Sequence, residues 1–371
     1  MIRQCILSMD GTAVSGGSGL VTAASLVALR AMLDAAGDRR PLLEQVDIFA
    51  GTSAGAFNAL FLASYEHPDD GLRHLADFWA HVTDCNREGF SLLRALTVPT
   101  GQSSLLSSKP MRGFFNEFFG EDMRLGDLRR GVVITSFALD DRTGPLRTWK
   151  PKVFHNTGSR DDPDLELRVV DVALRSGSPP LLYPIYGGAE PRDGGFVDGG
   201  VWANNPSIVA LAQAIRNIVH GDERHPPCKD EAAQLGGLLL LSLGNGRVPY
   251  YLTPRLRDGV ANWGFAEWLL DFHHPLALTT MMLEAGVQAA DFQARYMLQK
   301  QYMRVNPILD AKLAVNDGKA VADAMNRITA LPTTQEELIA ALIWLSDSGW
   351  LDAEVGEEPA ILNPALRKVD P

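Results

Sequence analysis

Four short apolar runs, Cys5 to Met9, Val46 to Ala50, Val132 to Leu139 and Leu238 to Leu243, alternate along this chain with stretches of helical pattern. That alternation leaves few folds open, and it predicts an α/β chain whose central sheet is mostly parallel and covered by helices on both faces. At 371 residues, 46% hydrophobic and 21% charged, the chain can bury a core of that kind and carry one large domain with a small appendage. It shows no internal repeat and no signature of disorder.

The second run leads into Gly51-Thr52-Ser53-Ala54-Gly55, and the Ala- and Leu-rich segment Ala54 to Ala63 reads as a helix. Ser53 therefore falls where strand turns into helix, the context a nucleophile elbow requires. Gly51 and Gly55 allow a tight, strained turn that lifts the hydroxyl clear of the sheet, and the helix N-terminus favours a developing oxyanion. Taken alone the pattern is common in loops, and the plain alternative makes Ser53 a helix cap between two connecting glycines. The strand before it and the helix after it favour the nucleophile.

A serine hydroxyl needs a base within hydrogen-bond reach. In a Ser-Asp-His enzyme of the α/β-hydrolase type the histidine follows the acid. Of eight histidines only His220, His225, His273 and His274 follow Asp198. The polar stretch His220 to Pro227 reads as a surface loop, and His273-His274 before Pro275 reads as a helix end. None stands in a recognisable catalytic setting. Asp198 does: it lies between Gly194-Gly195-Phe196-Val197 and Gly199-Gly200, a carboxylate at a strand end in a glycine-walled turn that can approach another loop closely. Asn205-Pro206 then reads as N-cap and first residue of a helix running through Val209, Ala212 and Ile215. Asp-Gly is also a common turn dipeptide, which is the competing reading of Asp198.

At these residues the chain resembles the patatin-like phospholipase family. The motifs occur in order: Asp10-Gly11; Gly51 to Gly55; Phe118-Phe119-Gly120 with Arg124-Leu125-Gly126-Asp127-Leu128; Ala173-Leu174-Arg175-Ser176-Gly177-Ser178-Pro179-Pro180; Val197-Asp198-Gly199-Gly200 with Asn204-Asn205-Pro206; and Ser242-Leu243-Gly244-Asn245-Gly246. The resemblance runs from near residue 5 to near residue 310. It implies a three-layer patatin-like fold, a Ser-Asp dyad in place of a triad, Ser53 as the acylated nucleophile and Asp198 as general base. It also implies a lipid ester, a glycerophospholipid, as substrate, with no cofactor and no metal.

One departure bears on activity. Family members usually carry Asp-Gly-Gly-Gly-x-Arg-Gly in the first loop, whereas this chain reads Asp10-Gly11-Thr12-Ala13-Val14-Ser15-Gly16-Gly17-Ser18-Gly19. The triple glycine is split and the arginine is absent. Either Gly16 and Gly17 supply the oxyanion N–H groups, or Gly11 and Thr12 do and the later glycines form a longer loop. The Ala54 N–H, next to the nucleophile, does not depend on that choice. Losing one donor typically costs about 2.7 to 4 kcal/mol of transition-state stabilisation, so a misplaced hole leaves a slow enzyme or a lipid-binding protein. A histidine-dependent esterase and an acyltransferase using the same acyl-enzyme are the other competitors. Nucleotide binding fits poorly, since no G-x-G-x-x-G stands in register and no Walker lysine follows.

Residues 1–310 are expected to form the hydrolase domain, with a mostly helical insertion at 69–128 capping the site and a small helical appendage at 311–371. Thr334-Gln335-Glu336-Glu337 behind Pro332 predicts a capping box in that appendage, and the polar, proline-spotted Arg142 to Asp164 predicts an exposed excursion. Two aromatic segments are open to two readings. Phe114, Phe115, Phe118 and Phe119 either pack as core or line an acyl-chain pocket; Trp263 to Phe272 is expected to be core, with a lipid-touching helix or lid as the alternative.

A formal net charge of −11 argues against nucleic acid as a partner. It also leaves membrane-surface contact to exposed apolar and aromatic groups. No h-region precedes the first strand, the run Leu238 to Leu243 is far too short to span a bilayer, and Cys5, Cys85 and Cys228 lie far apart without metal-site spacing. A cytoplasmic location, with peripheral membrane contact, is the expectation. No motif points to a protein partner.

Overall fold

The computed structural model describes residues 3–12, 18–91, 103–140, 147–159, 161–188, 194–221, 235–269, 277–310 and 315–352. Its strands are β1 (Gln4–Met9), β2 (Val46–Thr52), β3 (Gly131–Ala138), β4 (Lys150–His155), β5 (Phe196–Asp198), β6 (Leu238–Leu243) and β7 (Tyr302–Val305). They form one sheet in the order β4-β3-β2-β1-β6-β7, with β5 paired to β3 off this path. The neighbours from β3 through β2, β1 and β6 to β7 are parallel, while β4 and β5 run antiparallel to β3.

Parallel neighbours need long crossovers, which helices supply. In chain order the helices are α1 (Gly19–Ala35), α2 (Ala54–Ser64), α3 (Pro68–Gly71), α4 (Leu75–Gly89), α5 (Lys109–Phe119), α6 (Val169–Ser176), α7 (Gly200–Ala203), α8 (Ser207–His220), α9 (Phe265–Leu269), α10 (Ala277–Leu298), α11 (Val321–Ala330) and α12 (Pro332–Asp347). Successive strand residues point to opposite faces. Cys5, Leu7, Met9 and Phe49 join a core built with α1, α2, α4 and α5, whereas Ile6, Ile48, Ala50 and Leu240 face a second core with α8 and α10. The result is the expected sheet between two helical layers.

β4 corrects the expectation of an exposed excursion between Arg142 and Asp164. It pairs along β3 from Val133 to Ala138 and buries Phe154. At the sheet edge it tolerates Pro151 and the solvent-facing Lys150, residues that disguise a strand in the sequence. At the C-terminal end, Val321, Met325, Ile328, Leu338, Leu345 and Trp350 belong to the same core as α1. The expected capping box is not formed: α12 starts at Pro332, which is well suited to a first helical position, so Thr334 already lies inside the helix. The Glu337 carboxylate accepts the Asn306 N–H at 2.5 Å instead.

The aromatic segments part ways. Met111, Phe115 and Phe119 are buried, and the Phe115 ring meets Phe57 at 5.0 Å, so α5 packs as core on α2. By contrast α9 buries none of its residues, Phe265 is 72% exposed, and the Trp263 and Trp268 rings contact each other at 5.1 Å. The expectation that this segment is core is overturned for its described part; Leu270, Asp271 and Phe272 lie outside the described residues. Helical spacing of aromatics reports an apolar face and not what covers it.

Candidate active site

β2 ends with Thr52 opposite Thr135 of β3, and β5 ends with Asp198 opposite Ser136. β4 already occupies the other edge of β3 over this stretch, so β5 must share the edge used by β2 and approach it end to end. This brings together two residues that the sequence separates widely. Ser53 Oγ–H donates to Asp198 Oδ2 at 2.5 Å. Both groups are buried, at 8% and 5% exposure, at the C-terminal end of a parallel strand, where α/β sheets commonly place their sites.

Ser53 sits at φ 54°, ψ −120°, between the last residue of β2 and the first of α2. Such a conformation costs a non-glycine residue on the order of 1–3 kcal/mol and persists only where its surroundings enforce it. Those surroundings are visible. The Ser53 N–H donates to Ser176 Oγ at 2.8 Å, and Thr52 Oγ1 donates to the Ala203 carbonyl at 2.6 Å. A Cβ at Gly51 would stand 2.3 Å from the Gly55 carbonyl oxygen, and one at Gly55 would stand 2.1 Å from that of Met9. Only glycine permits those approaches.

Asp198 is held from three sides. Its Oδ1 accepts the Gly200 N–H at 2.7 Å, its own N–H donates to the Ser178 carbonyl at 3.0 Å, and Oδ2 receives the Ser53 hydroxyl. Burial pushes its carboxyl up to about 6, opposed by the hydrogen bonds from Ser53 and Gly200. A carboxylate with that value is largely ionised at neutral pH yet basic enough to take a proton from a nearby hydroxyl. Gly199 lies so close to β3 that a Cβ would meet Thr135 Oγ1 at 2.2 Å.

For the oxyanion, Ala54 heads α2, where first-turn N–H groups have no partner within the helix and the dipole is positive. Gly11 differs from expectation. Its N–H donates to the Asn204 carbonyl at 2.8 Å, which leaves it no free donor in this conformation. Gly16 and Gly17 lie outside the described residues.

Among the described histidines none is hydrogen-bonded to Ser53 or Asp198. His220 closes the 14-residue helix α8 that begins at Ser207, about 20 Å along its axis from that start. His225, His273 and His274 lie outside the described residues. The described groups nearest to a metal-ligand set are His155, Asp162 and Asp164, within 4.8 Å of one another, but Lys152 Nζ already holds both Asp164 oxygens at 2.7 and 2.8 Å.

Sequence reading missed the part played by Ser176 and Ser178. Their string was recognisable, but no spacing rule tells that the Ser176 hydroxyl would accept the Ser53 N–H and the Ser178 carbonyl the Asp198 N–H.

A parallel α/β sheet with a serine on a strained strand-to-helix turn, facing a buried carboxylate, marks the hydrolase-like α/β proteins. The patatin-like phospholipase family model matches residues 12–211, more than half of the chain, and the chain belongs to that family. CotR of Bacillus subtilis is 31% identical over 272 residues, covering 72% of this chain and 69% of CotR. Patatin-like protein 1 of Arabidopsis thaliana is 28% identical, over 72% of this chain and 64% of its own length. The cGAMP-activated phospholipase of Escherichia coli is 27% identical, over 75% of this chain and 72% of its own. No helix among the described residues is long and apolar enough to cross a membrane.

Proposed function

We propose that this protein is a serine lipid acyl hydrolase that cleaves carboxylic esters of glycerophospholipids through the Ser53–Asp198 dyad. The observation that carries the reading is the direct hydrogen bond from the Ser53 hydroxyl to a buried carboxylate. Asp198 takes the Ser53 proton as Oγ attacks the ester carbonyl carbon, and the carbonyl oxygen becomes an oxyanion facing the Ala54 N–H. Collapse of the tetrahedral species breaks the ester C–O bond, the proton passes from Asp198 to the leaving alkoxide, and the acyl group stays on Ser53. Water, deprotonated by the same carboxylate, then releases the fatty acid and restores the serine. No step requires a metal or cofactor.

The lipid substrate is supported by family membership and by the phospholipase named among the relatives. Contact with a bilayer surface would run through the aromatic segment at Trp263, Phe265 and Trp268, where Phe265 is exposed and both tryptophans are partly so, since a chain of net charge −11 gains little from anionic head groups.

The test is fatty-acid release from mixed glycerophospholipid vesicles and from a soluble short-chain ester, by wild type and by Ser53→Ala. Release by the wild type alone supports the reading. Equal release by both proteins, or release by neither from any ester, overturns it.

A further inference from the structure

The Gly244-Asn245-Gly246 turn, which the dyad does not use, reaches the loop on which an oxyanion hole would depend. We infer that Asn245 is a positioning residue that braces both ends of the glycine-rich segment joining β1 to α1, an inference that rests on the acyl-hydrolase reading proposed above. Asn245 is 2% exposed. Its Nδ2–H donates to the Asp10 carbonyl at 2.5 Å, one residue past the end of β1, and its Oδ1 accepts the Thr22 hydroxyl at 2.7 Å, in the first turn of α1. One amide thus fixes where the segment leaves the sheet and where it enters the helix.

The placement follows from the sheet. β6 lies beside β1 in parallel register, Leu243 opposite Met9, so a residue just past the end of β6 stands next to a residue just past the end of β1. The turn itself is fixed: a Cβ at Gly244 would meet Asn306 Oδ1 at 2.2 Å, and that oxygen accepts the Gly246 N–H at 3.0 Å. A second anchor grips Asp10 from below. Arg304 of β7 donates through Nη2 to Asp10 Oδ2 at 2.5 Å and through Nη1 to Ser242 Oγ at 2.7 Å. Both Asn245 and Arg304 stand beyond residues 12–211, the part the family model matches.

The chemistry calls for asparagine. A donor and an acceptor on one short planar group are needed; aspartate lacks the donor, leucine lacks both, and serine is too short to reach two partners. The need arises because oxyanion donors must lie about 2.7–3.1 Å from the developing charge. In this chain the usual run of three glycines is broken by Thr12-Ala13-Val14-Ser15, and Gly11 is committed to Asn204. A loop without that pre-set run relies on its fixed ends for geometry.

The test compares wild type, Asn245→Ala and Thr22→Val, the last breaking only the α1 side of the brace. Three readouts are taken: hydrogen exchange of peptides covering residues 10–21, kinetics on a soluble short-chain ester, and affinity for an alkyl trifluoromethyl ketone against the matching unreactive ether. Ser53 adds to the ketone carbonyl and its proton passes to Asp198, so the ketone oxygen becomes an oxyanion, which the ether cannot form. The expected result for Asn245→Ala is faster exchange confined to residues 10–21 and kcat lower by about tenfold or more with KM within about twofold. Ketone affinity falls in parallel with kcat/KM, and ether affinity is unchanged. Thr22→Val shows the same pattern at smaller amplitude, and carries the comparison alone if Asn245→Ala does not fold. Unchanged exchange over residues 10–21 in the variants overturns the inference, as do equal losses for ketone and ether. Should the wild type show no Ser53-dependent turnover, the hydrolase reading fails, while the exchange comparison still decides whether Asn245 holds the segment.

Discussion

Thr52 and Asp198 face consecutive residues, Thr135 and Ser136, on one edge of β3. One strand arrives from each direction, and the serine that follows Thr52 meets the carboxylate that ends β5. The Ser53–Asp198 hydrogen bond is therefore a consequence of sheet topology, with the glycines at 51, 55 and 199 allowing the backbones to approach closely.

In the proposed reaction Asp198 must be ionised to accept the Ser53 proton, and burial raises its carboxyl to about 6. The rate is expected to rise with pH through a single midpoint near that value and then level off. The check is kcat/KM on a soluble ester from pH 4 to 9. A second ionisation near neutrality that disappears on replacing His220, His225, His273 or His274 would point to a histidine base instead.

The same shift has a stability consequence. Because the folded-state value lies above the ordinary 3.8, the native protein binds the proton more tightly than the unfolded chain does. Stability falls as pH rises through the window from about 4 to about 6, by up to about 3 kcal/mol. Asp198→Asn removes that cost together with the proposed base. It is expected to melt higher than wild type at pH 8, to show little difference near pH 4, and to lose turnover by at least about a thousandfold. Thermal unfolding at the two pH values checks the first part.

Ser53 holds a positive φ of 54°. Glycine adopts such a conformation readily, whereas alanine carries the same penalty as serine. Ser53→Gly is thus expected to be more stable than Ser53→Ala by about 1 kcal/mol, both being inactive. Urea unfolding of the two variants is the measurement, and equal midpoints would argue that the turn carries no strain.

Trp263, Phe265 and Trp268 form an apolar group outside both cores, with Phe265 72% exposed and the two tryptophans partly exposed. Replacing all three by serine is expected to lower activity on vesicles by about tenfold or more while leaving activity on a soluble ester within about twofold. Matched assays on the two substrates check this, and an equal loss on both would assign the segment a structural role.

Much of this architecture was legible in the sequence where local pattern and tertiary role coincide. The runs at Cys5, Val46, Val132 and Leu238 are buried on both faces, so their apolar character signalled strands directly. β4 was hidden because an edge strand carries lysine and proline. The start of α12 was misjudged because Thr334 and Glu337 matched a capping pattern while Pro332 set the actual first turn. Ser53 and Asp198 stood out through their glycine neighbours, which record close backbone approach. Ser176, Asn204 and Asn245 gave no comparable signal, since a polar side chain meeting a backbone group far away in the chain leaves no periodic trace in sequence. The occupation of the Gly11 N–H by the Asn204 backbone carbonyl is as little foretold, because a single backbone bond between distant loops carries no residue-type signature.

In the proposed mechanism Asp198 activates Ser53 for covalent attack. The most direct test is to expose wild type and Asp198→Asn to an alkyl fluorophosphonate, whose phosphorus an activated serine oxygen attacks with expulsion of fluoride, and to locate the adduct by peptide mass mapping. The expected result is one adduct, on Ser53, forming in the wild type at least about a hundredfold faster than in the variant. An adduct on another residue, or labelling of Ser53 at the same rate in both proteins, would contradict it.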